Sequence, residues 1–445
     1  MTFCEGGPAA LAAGAAAVEI TPPLAAGLLM SSVEGRWAPF TAVRKPLFAR
    51  ALVLEGSAPG DPLAPSRRVA VVSLDLLALS GKALGGFDSF KSQIVDAAHG
   101  IVAADDIVLA CTHSHTAPET AAITDLHRTE AFRSWIRTLA ASIGQAIATA
   151  AAAAVPCELR YGSTLAPGLG IHRRIKTTAG IQMSHPSPPE EIVVSRDGAV
   201  DDSVNVLWLS DREGAVIAAV VNATCHPVYE MCNPEVSPDY PGEFCECLEA
   251  AYPGAIALFL NGAAGNVNPT AVSVGAEQAR VHGQRLFAAV QQAVSTAAAE
   301  PNPILGLQRC EFEVPSRLPD GVACGTNVRA VVVAVRLGQA SLVFLPGEPF
   351  VETGNEIRSQ SPFRFTAVVG FSEETIGYIP TDQAYLEGGY EIGFGPWSYL
   401  APGCEPVVRQ FALGLLRESA SDQILSSAPG RRRSSKPPTA AKLPG

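Results

Sequence analysis

The sequence predicts an α/β protein in which mixed β-sheets are flanked by helices. Three observations support this fold class. Apolar runs of strand type alternate with segments whose apolar residues recur at helical spacing. Several of the strand-type runs are apolar throughout, which is typical of strands covered on both faces. No clean interdomain linker divides the chain, and this favours one large domain over two.

The individual elements follow from local patterns. A β-branched run over Arg67–Leu79 ends near Asp75, and "DIVLA" forms the next strand. Residues Glu130–Ala154 form a helix that ends before Pro156, because proline cannot continue it. A hairpin turns at "DREG" within "VNVLWLSDREGAVIAAVV". The remaining main strands are "CELRYGSTLA", "AIALFLN", "VRAVVVAVRL", "ASLVFLP" and "RFTAVVGFS", and the remaining main helices are "PGEFCECLEAAY" and "GAEQARVHGQRLFAAVQQAVSTAA".

The ends of the chain differ in composition from its body. We divide the 445 residues into an N-terminal segment 1–15, a domain 16–425 and a tail 426–445. The tail is rich in Pro, Ser and Ala and carries the basic run 431–436, so we expect it to be disordered.

Composition and charge exclude several classes of protein. The formal net charge of −11 disfavours a nucleic-acid partner, because phosphate binding needs a concentrated basic face. No apolar run reaches the roughly 18 residues that a membrane span needs. The N-terminal segment lacks the basic start of a secretion signal, so we expect a cytoplasmic protein. The ten cysteines include no CxxC pair, and we expect them to be free and mostly buried.

Polar residues collect in four loops that follow strand-type runs, namely "CTHSHTAPE", "NATCHPVYE", "NGAAGNVNP" and "LPGEPF". Active sites of α/β proteins gather at such strand ends. His113 and His226 follow separate strands, and Glu348 can add a carboxylate, which is the usual shape of a catalytic zinc site. His113 and His115 can bind one metal together, or one can bind while the other acts as acid or base. Histidines that merely hydrogen-bond in turns remain an alternative.

Other motifs are weaker. "GAAGNVNP" lacks the GK[ST] ending of a phosphate loop, and no GxSxG elbow occurs for a serine hydrolase. Arg173 and Arg174 can bind a carboxylate bidentately or form a solvated basic turn. We expect His282, within a predicted helix, to lie at the surface or at a packing edge.

Eight segments occur in an order that resembles one known family. They are "VEITPPL", "VVSLDLL", "CTHSHTAPE", "IHRR", "SPDYPGEF", "LFLNGAAGNVNP", "LPGEPF" and "IGYIPT…AYLEGGYE". Together they resemble the N-terminal catalytic domain of the neutral/alkaline non-lysosomal ceramidase family, over about residues 16–415, in a divergent form. The resemblance implies the fold of that domain, one catalytic zinc, and hydrolysis of an N-acyl amide such as ceramide.

The resemblance also assigns roles to individual residues. The zinc ligands of the family match His113, His226, Glu348 and Tyr378. His115 matches the second histidine of the motif, which lies near the reacting carbonyl. Arg173 matches an arginine that lines the site.

This chain departs from the family pattern in three ways. Asn268 stands where the ceramidases carry a serine assigned as nucleophile or essential polar partner. An amide side chain cannot be a nucleophile, but it can donate a hydrogen bond to a developing oxyanion. The sequence also shows no counterpart of the family's C-terminal immunoglobulin-like domain and no evident secretion signal.

We therefore expect a zinc-dependent hydrolase of a C–N amide bond, in a small or lipid-like substrate, that uses a zinc-activated water. His115, Asn268 and Arg173 are the expected catalytic residues. Asp75 is expected either to hold a ligand histidine or to cap the next helix. The alternatives are a lactone or ester hydrolase, a pathway enzyme with a small non-lipid substrate, and a non-catalytic metal-binding protein. An arginine-lined pocket would favour a small acidic metabolite. The oligomeric state is left open.

Overall fold

The computed structural model describes residues 11–31, 35–56, 66–319, 321 and 323–426. The helices are α1 (Gly81–Leu84), α2 (Phe87–Ala97), α3 (Glu130–Ala152), α4 (Asp239–Ala251), α5 (Ala276–Ser295), α6 (Val351–Ser359), α7 (Asp382–Glu387) and α8 (Cys404–Ser426). Short 3₁₀ helices lie at Leu24–Ala26, Ala104–Asp106, Asp125–Arg128, Glu190–Ile192 and Tyr390–Ile392.

The strands of the first half are β1 (Ala12–Glu19), β2 (Leu28–Ser31), β3 (Arg36–Ala38), β4 (Ala42–Val43), β5 (Phe48–Gly56), β6 (Arg67–Leu74), β7 (Ile107–Cys111), β8 (Val155–Leu165), β9 (Ile171–His172), β10 (Arg174–Thr177), β11 (Gly180–Met183) and β12 (Val193–Ser195). Those of the second half are β13 (Ser203–Asp211), β14 (Val216–Ala223), β15 (Glu235–Val236), β16 (Ile256–Asn261), β17 (Val267–Asn268), β18 (Ala298–Ala299), β19 (Leu305–Arg317), β20 (Ala323–Leu337), β21 (Ala340–Pro346), β22 (Glu348–Pro349), β23 (Phe365–Ser372) and β24 (Tyr378–Ile379).

One large mixed sheet dominates the described part of the chain. Its strand order is β16-β14-β13-β8-β1-β5-β6-β7-β23-β21-β20-β19, and β18 pairs with β8. Three neighbouring pairs are parallel, namely β6 with β7, β14 with β16, and β21 with β23. The carboxyl ends of each parallel pair therefore lie side by side, and the polar loops predicted from the sequence leave from these ends.

The sheet folds back so that its two halves face each other. Strand β16, at one edge, contacts β5, β6, β7 and β23 across the interior. A core cluster that includes Val71, Leu258 and Val369 fills the space between the halves. Helix α3 packs outside β1 and β5, helices α4 and α5 pack outside the half that contains β16, and α8 packs on β19–β21. This arrangement brings β7 and β14, which are far apart along the sheet, close together at their ends.

Two small ladders align the polar loops with one another. Strand β22 runs parallel to β24, with Glu348 opposite Tyr378. Strand β17 runs antiparallel to β9, with Asn268 opposite Ile171. Because directly paired residues lie about 5 Å apart, these short ladders fix the spacing of side chains that come from distant parts of the sequence.

The predicted fold class is confirmed, with mixed sheet strands flanked by helices. The helix predicted over Glu130–Ala154 spans Glu130–Ala152, and the predicted hairpin is formed by β13 and β14. The eight cysteines whose side chains are described are free, and four of them are buried. The division into segments 1–15, 16–425 and 426–445 stays a prediction. Residues 1–10 and 427–445, with Cys4 and the basic run, lie outside the described residues, as does the side chain of Cys324.

Candidate metal centre and active site

His113 follows β7 and lies at the centre of the polar loops. Its backbone has a φ of 71°, a left-handed conformation that is uncommon for a residue with a side chain and that often marks functional positions. The imidazole is buried and stacks on Phe371, with ring centroids 4.0 Å apart. Its Nδ1–H donates a hydrogen bond of 2.7 Å to the Leu77 carbonyl. Nε2 is therefore left with a lone pair that faces the loops.

His226 is oriented in the same way from the other half of the sheet. It follows β14, and its Nδ1–H donates to the Ala264 carbonyl at 2.7 Å. Burial lowers the pKa of both His113 and His226 well below the ordinary value, so both rings are neutral at neutral pH. Neutral imidazoles with Nδ1 bound to a carbonyl are the usual form of histidine metal ligands.

Glu348 completes a ring of acceptor atoms. Its Oε2 lies 3.5 Å from Nε2 of His113 and 3.4 Å from Nε2 of His226. These distances are too long for good hydrogen bonds, and Oε2 is buried without a hydrogen-bond partner. A buried carboxylate oxygen without a donor costs free energy unless a cation lies beside it.

Glycines hold the Glu348 loop close to its neighbours. Gly347 has a φ of 67°, a conformation that side-chain-bearing residues rarely adopt. A Cβ on Gly265, in the "GAAGNVNP" loop, would lie 2.5 Å from the Glu348 carbonyl oxygen. The glycine-rich loop thus serves close backbone packing at the site.

The separations between these atoms fit a metal ion. Ligand atoms at about 2.0–2.1 Å from a tetrahedral zinc ion are about 3.3–3.4 Å apart. The observed separations of 3.5 and 3.4 Å match this spacing. His115 also belongs to the group, because its Nε2 lies 3.2 Å from Nε2 of His113. One nitrogen from each of His113, His115 and His226 lies within 4.8 Å of the others, so the three could hold a metal ion.

Tyr378 and Arg173 form the polar wall of the centre. An Arg173 NH2 group donates to the Tyr378 hydroxyl at 2.8 Å, and NH1 lies 3.3 Å from both Nε2 of His226 and Oδ1 of Asn268. Burial raises the pKa of Tyr378, which keeps the phenol neutral. The Nε2 lone pair of His226 cannot serve Arg173 and a metal at the same time, so a bound metal would replace this contact with Arg173 NH1.

A buried carboxylate, Glu391, holds two adjacent arginines. Arg173 Nε donates to Oε1 of Glu391 at 2.8 Å, and Arg174 NH1 donates to Oε2 at 2.6 Å. Burial alone lowers the pKa of Arg173, but its contacts with Tyr378 and Glu391 raise it above the ordinary value, so the guanidinium stays charged. Arg174 also donates to the Gly388 carbonyl at 2.8 Å. Both arginines are therefore engaged within the protein.

A cavity of about 250 Å³ opens onto the centre. His113, His115, Glu348 and Tyr378 form its inner end. The other lining residues are mostly aliphatic and aromatic, with Ser80, Lys82 and Thr375 as polar exceptions. Among the described residues, no arginine lines the cavity. These residues do not form the arginine-lined pocket that would favour a small acidic metabolite. Glu391 instead holds the guanidinium groups of Arg173 and Arg174.

Asp75 is the predicted site residue that the structure does not bring to the centre. Its Oδ2 accepts hydrogen bonds from the Phe48 backbone N–H and from Arg50 NH1, both at 2.9 Å. Among the described residues, the contacts of Asp75 show neither expected role: it does not hold a ligand histidine, and it does not cap the next helix. The reason is that Asp75 compensates the charge of Arg50, which is buried in the sheet.

The expectation for His282 is wrong, because this side chain is only 3% exposed. It stacks on Tyr240, with centroids 3.9 Å apart, and its Nδ1 lies 3.1 Å from the Tyr229 hydroxyl. Burial lowers the pKa of His282 to about 3. His282 lies three residues after Ala279 and four before Leu286, on the apolar face of α5. This helical spacing predicts burial.

Known proteins resemble this chain in part of its sequence and in its fold. No protein-family model matches the chain. The neutral ceramidase of Mycobacterium tuberculosis is 31% identical over 97 residues, which cover 20% of this chain and 15% of that protein. The crystal structure of neutral ceramidase from Pseudomonas aeruginosa superposes with a TM-score of 0.70 at 19% identity, covering 97% of this chain and 77% of the other.

The chain has the fold of a neutral ceramidase. A second solved structure, of ceramidase complexed with C2, has a TM-score of 0.70 at 19% identity and covers 92% of this chain and 76% of the other. The resemblance noted in the sequence is thus confirmed by the structural neighbours. At this level of identity the likeness establishes the ceramidase fold, and residue roles must be argued from the site itself.

Within this ceramidase fold, the predicted residues His113, His115, His226, Glu348, Tyr378, Arg173 and Asn268 converge on one centre. Glu391 was missed. The sequence held one usable signal, since two adjacent arginines require a counter-charge when they are buried. In the described part of the chain no helix is long and apolar enough to cross a bilayer.

Proposed function

We propose that the chain is a zinc-dependent hydrolase that cleaves the C–N amide bond of an N-acyl, ceramide-like substrate. The observation that carries the proposal is Oε2 of Glu348, which is buried, lacks a hydrogen-bond donor and lies 3.4–3.5 Å from two imidazole nitrogens. The shared fold with neutral ceramidases supports amide hydrolysis as the reaction class. Cytoplasmic localisation remains a separate expectation.

His113, His226, Glu348 and Tyr378 would hold the zinc ion. The donor set suits zinc, because neutral imidazole and carboxylate are common zinc ligands and the cavity leaves one side open. When bound, zinc supplies a water of lowered pKa and polarisation of a carbonyl group.

The other residues act on the substrate. His115 lines the cavity, and its imidazole is neutral because burial lowers its pKa. It can take a proton from water and deliver it to the departing amine. Asn268 has Oδ1 directed at Arg173 NH1, which leaves its NH₂ group to donate to a developing oxyanion. Arg173, fixed by Glu391, holds Tyr378 and Asn268 in place.

The test is zinc content together with activity. We expect one zinc per chain in the wild type, and strong loss of zinc in His113→Ala, His226→Ala and Glu348→Gln. His115→Ala should keep zinc and lose activity. His99→Ala removes an exposed histidine and is the matched control.

Two results would contradict the proposal. Full zinc occupancy in both His113→Ala and His226→Ala, measured by elemental analysis, would exclude these residues as ligands. A zinc-loaded wild type that cleaves no N-acyl amide but opens lactones would overturn the amide assignment. A chain that binds zinc and hydrolyses neither would be a non-catalytic metal-binding protein.

A further inference from the structure

The size of the cavity limits the part of a substrate that can be enclosed. An apolar cavity of about 150 Å³ holds benzene, so a cavity of about 250 Å³ holds roughly ten carbon atoms. Its wall includes the side chains of Leu77, Ile123, Trp397 and Tyr399. One medium-length apolar arm fits this space, and a second long chain of a lipid would lie outside it.

One cationic side chain lines the cavity among the residues that the structure describes. Lys82, on the short helix α1, is exposed and lines the cavity. Among the described lining residues it is the one lysine or arginine, and Glu348 is the one carboxylate. Glu348 faces the two imidazoles and is unavailable to Lys82.

Among the residues that the structure describes, the ammonium group of Lys82 has no acidic partner within ion-pair distance. No ion pair or hydrogen bond of its side chain is recorded within the described residues. Glu374 lies beside Gly81, and its Oε1 accepts a hydrogen bond of 2.9 Å from the Gly81 backbone N–H. A lining cation for which the described residues show no acidic partner suits an anionic group on the ligand.

We propose that the substrate is a single-chain N-acyl amide that carries an anionic group, as a medium-chain N-acyl amino acid does, and that Lys82 recognises the anion. This inference rests on the proposed amide hydrolysis, because the scissile amide lies at the metal centre. The reaction adds water across the amide: the C–N bond breaks, the water oxygen joins the acyl carbon, and the amine receives a proton. The products are a fatty acid and an amino acid.

The experiment compares two substrates that differ in one charge, N-octanoylglycine and N-octanoylglycinamide. In the zinc-loaded wild type at low salt, kcat/KM should be about two- to fivefold higher for the carboxylate, the range expected of a solvent-exposed ion pair. The preference should lie in KM and should shrink at 0.5 M NaCl because salt screens the pair.

Variants assign the preference to one residue. Lys82→Ala should abolish the preference by lowering kcat/KM for the carboxylate more than for the glycinamide, and Lys82→Glu should reverse it. Lys176→Ala removes another exposed lysine and is the matched control. N-Hexadecanoylglycine should be a poorer substrate than N-octanoylglycine, because its chain exceeds the cavity.

Equal kcat/KM for the two octanoyl substrates in the wild type would overturn the inference, as would an equal loss for both in Lys82→Ala. If neither is hydrolysed, the proposed function fails. Calorimetric titration with N-octanoylglycine and the glycinamide then tests Lys82 separately. Tighter binding of the carboxylate, lost in Lys82→Ala, supports anion recognition, and equal binding refutes it.

Discussion

Replacement of Glu391 by glutamine tests how the polar wall of the site is held. The carboxylate is fully buried, and the side chains of Arg173 and Arg174 are each only 3% exposed. Glu391→Gln removes the counter-charge and leaves two buried guanidiniums. Arg174 retains Glu387 at 3.4 Å, whereas the recorded hydrogen bonds that remain to Arg173 all go to neutral groups.

The expected cost follows from this burial. Breaking a buried ion pair by removing one partner costs about 3–5 kcal/mol, because the other charge remains buried. Glu387→Gln is the matched control, since it makes the same chemical change opposite the same Arg174. The Glu387 side chain is 30% exposed, so this substitution should cost less than about 1 kcal/mol.

Urea denaturation gives the free energy of unfolding for both variants. The double variant Glu391→Gln/Arg174→Met should be less destabilised than the sum of its single changes, because it removes one unpaired charge. At a temperature where Glu391→Gln is folded, kcat should fall, since Arg173 no longer fixes Tyr378 and Asn268, and zinc content should fall less than in His113→Ala, which removes a ligand. A loss below 1 kcal/mol in Glu391→Gln, or an equal loss in Glu387→Gln, would refute this reasoning.

Two further predictions concern single side chains. Asn268→Ala should lower kcat by about 10²–10³-fold with little change in KM, which is the usual effect of removing an oxyanion donor. Asn268→Ser should retain more activity than Asn268→Ala. Unchanged steady-state kinetics in Asn268→Ala would exclude Asn268 as an oxyanion donor. Burial raises the pKa of Glu119 to about 7, so the native state binds more protons than the unfolded state between about pH 4.5 and 7. The free energy of unfolding should fall by up to about 3 kcal/mol as pH rises through this window. Glu119→Gln should reduce that slope in denaturation measured at several pH values, and an unchanged slope would assign the dependence to other groups.

The sequence by itself determined the fold class and the loops that carry the chemistry. Strand and helix periods are local, so the helix at Glu130–Ala152 and the hairpin of β13 and β14 could be predicted within a few residues. The polar ends of β7, β14 and β21 identified His113, His226 and Glu348 by the same local logic. The order of eight motifs added the family resemblance.

Only the tertiary structure decided which partners meet. Arg173 and Glu391 are 218 positions apart, and no local pattern links an arginine to one carboxylate among the 43 acidic residues. Asp75 shows the reverse case, since its strand-end position suggested the site and its actual partner is buried Arg50. The separate roles of His113 and His115 remain predictions, because their Nε2 atoms lie 3.2 Å apart. Charge pairing depends on distance in the folded chain, which the folding back of the large sheet sets and local sequence does not encode.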